Sequence, residues 1–403
     1  VRFLLLPGNN SLSHVAKCLA VAEVLARRGH ETLLAAGKRN ARFVLDRGVD
    51  CRVLPDIQEE DGAGFPTVEW FRKPKRFAEV VAAETDLLRD YRPDRALGVF
   101  RFTGRASAEL AGVPYDSLTC GCMLPESTEV LGFGPGDEGI EAQRSYLDSF
   151  YRFAGRRVSI ALRELGLSPV ADIREMLRGD RTFLWDFPEF APLPPGSGAE
   201  HVGPVFWEDW PHDAIDLDGL AGAAGPLAVV TFGTCVTSVG AARRIVRILL
   251  DLGFRVLLAA GGQDELLSVM ADDPRVTACR FAPLHRLFPM ASLAVCHGGQ
   301  MTLFEALSHG TPALVLPFQP EQAHNALCLG RLGCGIRLGE ARPFRGNPAV
   351  YMDAFDRMDD DTVREAVARL TRDPDAKAKL AASRAAVARY DGAASVASRL
   401  EER

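Results

Sequence analysis

The chain has 403 residues, 47% of them hydrophobic and 25% charged, with a formal net charge of −6. That length exceeds what one hydrophobic core ordinarily serves, so two domains are expected. The acidic balance argues against a nucleic-acid partner, which leaves a basic footprint, and no apolar run approaches the ~18 residues that span a bilayer.

Short apolar runs alternate with helix-length amphipathic stretches, a pattern that predicts α/β architecture with parallel sheets. RFLLLP (2–7) reads as a buried strand rather than a signal peptide, because a charged n-region and a small-residue cleavage site are missing. SHVAKCLAVAEVLARRG (13–29) follows as a helix, with Ser11 or Ser13 as its N-cap and Gly29 as its stop. ETLLAA (31–36) completes the first strand–helix–strand unit. A further helix precedes YRPDRALGVF, and RASAELAG leads into the strand YDSLT (115–119). Residues 55–78 and 120–145 are rich in Gly, Pro and charge and read as long functional loops.

From about 191 to 226 the texture becomes Pro/Gly/acid-rich, which predicts a linker near the midpoint. The expected division is a first domain over 1–205, a linker over 206–225, a second α/β domain over 226–390, and a terminal helix over 391–403 that crosses back to the first domain. The second half supplies LAVVTFG, a helix over about 240–252, RVLLAAG, VTACRF, LAVCHGG and ALVLPF. The halves share an architecture but no alignable repeat.

Of nine cysteines only Cys120 and Cys122 are close, with no Cys/His pair downstream to complete a zinc site. The others lie in apolar elements and read as buried thiols of a reducing cytosol, so a cytoplasmic location is expected.

Two places carry chemistry. In LAVCHGGQMTLFEAL (293–307), His297, Gly298 and Gly299 stand at a strand-to-helix junction. A helix N-terminus presents unsatisfied N–H groups and positive potential, and glycine lets an anion approach the backbone. Thr302 adds a hydroxyl. TFGTCVTS (231–238) offers Gly233, Thr234 and Thr237 at a second strand end, where open α/β sheets bind ligands. The plainer reading is a core histidine beside a tight turn. The second place is PGNNSLSH, which ends on His14 at the start of the first helix; an imidazole there suits a general base at neutral pH. Its plainer reading is an ordinary polar helix-start residue. PGNNSLSH lacks the G-x-G-x-x-G of a nicotinamide site.

HGGQMTLFEALSHGTPALVLPFQPEQAHN resembles the signature HGGxGT-x-EAL-x-x-G-x-P, closing on Asp-Gln, of the GT-B fold, family-one glycosyltransferases, especially the bacterial macrolide and antibiotic type. TFGT and RFAPLHRLFPMASLAVCHGG resemble the segments that accompany it. The resemblance implies two Rossmann-like domains facing across a cleft, a UDP- or TDP-sugar donor, and inverting transfer that requires no metal or other cofactor. It implies that His297, Gly299 and Thr302 hold the diphosphate, with Gly233, Thr234 and Gln300 as further donor-binding candidates. Phe281 and Ala282 would line the base pocket and Glu305 would bind the ribose. Glu321 and Gln322 would bind the sugar, although alone such a pair reads as a solvated loop. His14 would be the base, and His30 structural.

Three departures stand out. Met301 replaces a family glycine, and Glu321 stands where the family has Asp. Val99 and Phe100 occupy the region where the family places a carboxylate that orients the base; Arg101 cannot replace it, which leaves Asp116, Glu126 and Glu129 as candidates. Trp70, Phe71, Phe100 and Met123 are candidate acceptor contacts for a small hydrophobic aglycone entering between the domains; the loops that carry them also read as variable surface. No Asp-x-Asp metal motif lies in a suitable loop, and Asp359–Asp361 reads as solvent-exposed. The expected partners are the donor and the acceptor, in a monomer or homodimer. A nucleotide-sugar 2-epimerase of the same fold and an inactive sugar-nucleotide binder remain alternatives.

Overall fold

The computed structural model describes residues 1–9, 11–55, 57, 73–234 and 238–402. Thr237, Trp70 and Phe71 therefore lie outside the described residues. The strands are β1 Arg2–Pro7, β2 Glu31–Gly37, β3 Cys51–Leu54, β4 Arg95–Val99, β5 Tyr115–Thr119, β6 Arg181–Leu184, β7 Ala199–His201, β8 Leu227–Thr231, β9 Arg255–Ala259, β10 Val276–Cys279, β11 Leu293–Cys296, β12 Ala313–Val315 and β13 Gly335–Arg337. The α-helices are α1 Leu12–Arg27, α2 Lys38–Leu45, α3 Pro74–Tyr91, α4 Gly104–Ala111, α5 Ile140–Glu164, α6 Leu217–Gly222, α7 Val239–Asp251, α8 Leu284–Leu287, α9 Gln300–His309, α10 Pro320–Arg331, α11 Ala349–Asp356, α12 Asp360–Arg372, α13 Pro374–Val387 and α14 Gly392–Glu401.

The strands form two sheets, ordered β3-β2-β1-β4-β5-β6-β7 and β10-β9-β8-β11-β12-β13. Every pairing is parallel. Such strands are covered on both faces and are apolar almost throughout, as β1 and β8 show by burying all but one of their residues between them. Both sheets reverse direction between their first and fourth strands, the switch point at which doubly wound folds bind ligands. In the first sheet that point lies beyond Pro7 and Val99, which are paired. In the second it lies beyond Thr231 and Cys296, also paired.

The chain divides into two compact units, one of residues 1–128, 146–207 and 390–403, the other of 129–145 and 208–389. Three features differ from the expected division. Residues 129–145 cluster with the second unit, because Arg337 donates to the Gly132 carbonyl and Phe344 N–H to Gln143. Within the presumed linker texture, Ala199–His201 is a strand of the first sheet. Residues 208–225 belong to the second unit, where they include α6, and Asp213 is bonded to the backbone at 280–281. α14 packs against α1 in the first unit. His30 explains part of that docking, since its Nε2 lies 2.7 Å from Glu401, which Arg28 also contacts. Among the described residues no helix is long and apolar enough to cross a membrane.

Candidate functional site

In the first unit, His14 sits in the opening turn of α1, where Ser11 accepts from Ser13 N–H as the cap. Its Nδ1 lies 3.2 Å from the Gly8 carbonyl oxygen. A carbonyl only accepts, so Nδ1 carries the proton and Nε2 keeps its lone pair. The ring stacks on Phe100 at 5.0 Å and tilts against Trp185 at 5.8 Å. Burial, assisted by the Lys17 charge one turn on and opposed by the Gly8 bond, pushes its pKa down to about 3. The imidazole is therefore neutral at pH 7, in the tautomer that a base needs.

Among the described residues no carboxylate is bonded to it. Val99 is fully buried in β4. Phe100 holds φ at +52°, a strained conformation for an aromatic residue, and spends it on covering the imidazole. Arg101 is bound to Glu84 at 2.5 Å and to the Pro7 carbonyl at 3.0 Å, while Thr103 and Ser107 also donate to Glu84. This buried, fully bonded network ties the ends of β1 and β4 to α3. The three candidate acids are engaged elsewhere: Asp116 with Arg95 and Arg181, Glu126 with Arg178, and Glu129 with His324 and Arg331. The Gly8 carbonyl fills the orienting role instead. Of the acceptor candidates, Phe100 touches His14, and Met123 lies 4.0 Å from the Tyr151 hydroxyl. Lys17, 4.5 Å over the Trp185 ring, joins this group and was not anticipated.

In the second unit three strand ends open side by side, because Thr231 is level with both Ala259 and Cys296. The next residues are Phe232–Thr234, Ala260–Gly262 and His297–Gly299. His297 fits between two glycines: a Cβ on Gly233 would come within 2.9 Å of its ring, and one on Gly299 within 2.5 Å. Gly261 is pressed onto Gly233, where a Cβ would overlap the Gly233 carbonyl. The glycines are thus required by packing alone. Burial, opposed by the Thr231 backbone, takes the His297 pKa down to about 4, and its Nδ1 has no hydrogen-bond partner.

Gly299 is the N-cap of α9 and has no side chain to bond the first-turn N–H groups of Gln300, Met301 and Thr302. Met301 is accommodated inside an intact helix, since a backbone donor needs only helical φ. Gln300 is buried, and Met301 and Thr302 are half-buried. One turn further, Glu305 is 8% exposed and its carboxyl makes no hydrogen bond within the described residues. Burial, with the Glu208 charge adding to it, raises its pKa to about 8. A largely buried carboxyl without a hydrogen bond suits hydroxyl donors.

Phe281 is 39% exposed, and a Cβ on Gly262 would come within 3.4 Å of its ring. Its backbone carbonyl accepts from Asp213 N–H, and Ala282 beside it is half-buried. Glu321 accepts from Asn325 at 2.8 Å, and the same Asn325 amide donates to the Gly298 carbonyl. Gln322 is 2% exposed and its carbonyl accepts from Phe318 N–H, so it braces the start of α10. Asn325 and the Gly261–Gly262 loop escaped sequence reasoning. A second Gly-Gly after a strand was the available signal for the loop; the i,i+4 spacing of Glu321 and Asn325 was the one for the bond.

Residues 249–402 match the family described as Erythromycin biosynthesis protein CIII-like, C-terminal domain. The chain is 25% identical over 294 residues to a PGL/p-HBAD biosynthesis glycosyltransferase of Mycobacterium tuberculosis, covering 68% of this chain and 65% of that one. It therefore spans about two thirds of the length of that relative. It is 24% identical over 361 residues to a PGL/p-HBAD biosynthesis rhamnosyltransferase of Mycobacterium bovis, covering 85% and 77%. Among solved structures, the glycosyltransferase of kitacinnamycin superposes with a TM-score of 0.73 at 18% identity, over 99% and 98% of the two chains. The Streptomyces sp. SF2575 glycosyltransferase SsfS6, complexed with thymidine diphosphate, superposes with a TM-score of 0.64 at 20% identity, over 100% and 99%. The two sheets of Rossmann-like order and these superpositions show the GT-B fold, and the chain is similar in sequence to bacterial glycosyltransferases.

Proposed function

We propose that the protein is an inverting, metal-independent glycosyltransferase that moves a sugar from a TDP- or UDP-sugar to a hydroxyl or amine of a small hydrophobic acceptor. The observation that carries this reading is the second unit's switch point, where a helix N-terminus capped by glycine adjoins a largely buried carboxyl with no hydrogen bond. The amides of α9 and His297 take the diphosphate, Glu305 takes the ribose hydroxyls, and Phe281 stacks on the base. The thymidine diphosphate bound to SsfS6 supports a thymidine or uridine donor here.

In the transfer step the acceptor oxygen or nitrogen attacks the anomeric carbon as its bond to the diphosphate breaks. The proton passes to His14 Nε2, and the charge growing on the diphosphate meets the α9 amides, donors already aimed at it. Attack opposite the leaving group inverts the anomeric centre. The low basicity of His14 in the ligand-free protein rises once an anionic donor approaches, since negative charge favours the imidazolium. Glu321, held by Asn325, offers an acceptor to sugar hydroxyls; the Gln322 carbonyl already accepts from Phe318 N–H, just before α10.

The test is a panel of aglycones with TDP- and UDP-hexoses, without added divalent metal, and with the product's anomeric configuration read by NMR. Inverted product from wild type and none from His14→Ala support the reading. Product with retained configuration, or undiminished turnover by His14→Ala, refutes it.

A further inference from the structure

His324 and Cys328 lie one turn apart on α10 and project from the same face. Glu129, from the segment that clusters with this unit, meets them there. His324 Nε2 is 3.0 Å from a Glu129 oxygen and 3.5 Å from Cys328 Sγ. The three candidate ligand atoms all lie within 4.8 Å of one another. His324 is 2% exposed and Cys328 fully buried.

A hydrogen-bond account of this cluster is incomplete. Two groups converge on one nitrogen, which carries at most one proton. A tetrahedral zinc ion, with Zn–N near 2.0–2.1 Å and Zn–S near 2.3 Å, separates its N and S ligands by about 3.5 Å. That is the spacing found here. Arg331 donates to the other Glu129 oxygen at 2.7 Å, which orients the carboxylate as outer partners orient metal ligands. One thiolate, one imidazole and one carboxylate form a borderline-soft set that favours zinc over magnesium or calcium. Glu129 is partly exposed, which leaves water access for a fourth ligand.

We propose that Glu129, His324 and Cys328 bind one zinc ion that fastens residues 129–145 to α10. The ion replaces the Cys328 thiol proton, which leaves to solvent, and the Nε2 lone pair coordinates it with the imidazole proton on Nδ1. Its role is structural. The same segment is already seated on α10 through Gly132, where a Cβ would come within 2.9 Å of Ala323. None of the three ligands belongs to the donor cradle, so this site stands or falls independently of the proposed transfer.

The test strips the full-length protein of metal with a chelator and titrates it with Co2+. One equivalent should produce thiolate-to-cobalt charge transfer in the near ultraviolet and four-coordinate bands in the visible, both displaced by Zn2+. Zn2+ should also raise the melting temperature. Cys328→Ser, checked for fold by circular dichroism, should lose the charge-transfer band. Glu129→Gln should retain the band with weaker binding, and Arg331→Met should weaken Zn2+ binding by about tenfold. Absence of saturable Co2+ binding by wild type overturns the proposal and leaves a simple imidazole–carboxylate hydrogen bond. A charge-transfer band that survives in Cys328→Ser overturns it equally.

Discussion

Glu305 offers the sharpest test of the donor site, because the protein holds its carboxyl in the wrong charge state for the ligand. Its pKa stands near 8 against an ordinary 4.5, so at pH 7 the ligand-free protein carries it protonated by about ten to one. Ribose hydroxyls donate best to a carboxylate. Nucleotide binding at pH 7 should therefore expel close to one proton from Glu305. Calorimetry of TDP binding in buffers of different ionisation enthalpy measures that number. The difference between wild type and Glu305→Gln removes contributions from the nucleotide phosphate and from His297. We expect about one proton released by wild type relative to the variant at pH 7, falling toward zero above pH 9. Above pH 9, where wild type is ionised, Glu305→Gln should bind TDP some 10- to 100-fold more weakly, the value of a charge-assisted hydrogen bond of about 1.5–3 kcal/mol. Glu208→Gln should reduce the proton release, since the Glu208 charge is the second cause of the shift. The native state binds more protons than the unfolded chain between about pH 4.5 and 8, so this group makes stability fall as pH rises through that window. Glu305→Gln should remove that slope. Equal proton release by wild type and Glu305→Gln would refute the assignment.

Gly299→Ala places a methyl 2.5 Å from His297 Nε2, so the ring must shift. Denaturant titration should show a loss of about 1–3 kcal/mol, and calorimetry at least tenfold weaker TDP binding. Phe281→Ala should weaken TDP by about 10- to 100-fold through lost stacking, worth about 1–3 kcal/mol per base. Its melting temperature should hardly move, because the ring is substantially exposed. His14 and His297, with pKa values pushed down to about 3 and about 4, bind fewer protons folded than unfolded. Their contribution to stability is full above pH 6.5 and is lost as pH falls toward 3 to 4. Urea midpoints for His14→Gln and His297→Gln should accordingly show a shallower acid decline than wild type.

Much of the fold was legible because it is written in local chemistry. RFLLLP and LAVVT are unbroken apolar runs that suit only a strand covered on both faces, and Gly29 follows the first helix with φ at +82°. The strand-to-helix junction from His297 to Glu305 was legible because its residues follow one another along the chain. The rest depends on contacts between distant residues. The strand Ala199–His201 hides in Pro/Gly-rich sequence because its partner, β6, supplies the reason for it to extend. The attachment of 129–145 to the second unit rests on Arg337 and Phe344, some 200 residues away, as does the meeting of Glu129 with His324. At His14 the sequence showed that the usual acid was missing at Val99. It did not show that a backbone carbonyl six residues before the histidine would take its place, since every residue brings such a carbonyl.

The central claim is that the start of α9, with Glu305 and Phe281, is a nucleotide-sugar site. Calorimetric titration of the folded full-length chain with TDP and UDP tests it most directly. The account predicts saturable one-to-one binding of at least one of them, weakened by both Gly299→Ala and Phe281→Ala. Absence of binding at millimolar nucleotide, or binding indifferent to both substitutions, would contradict it.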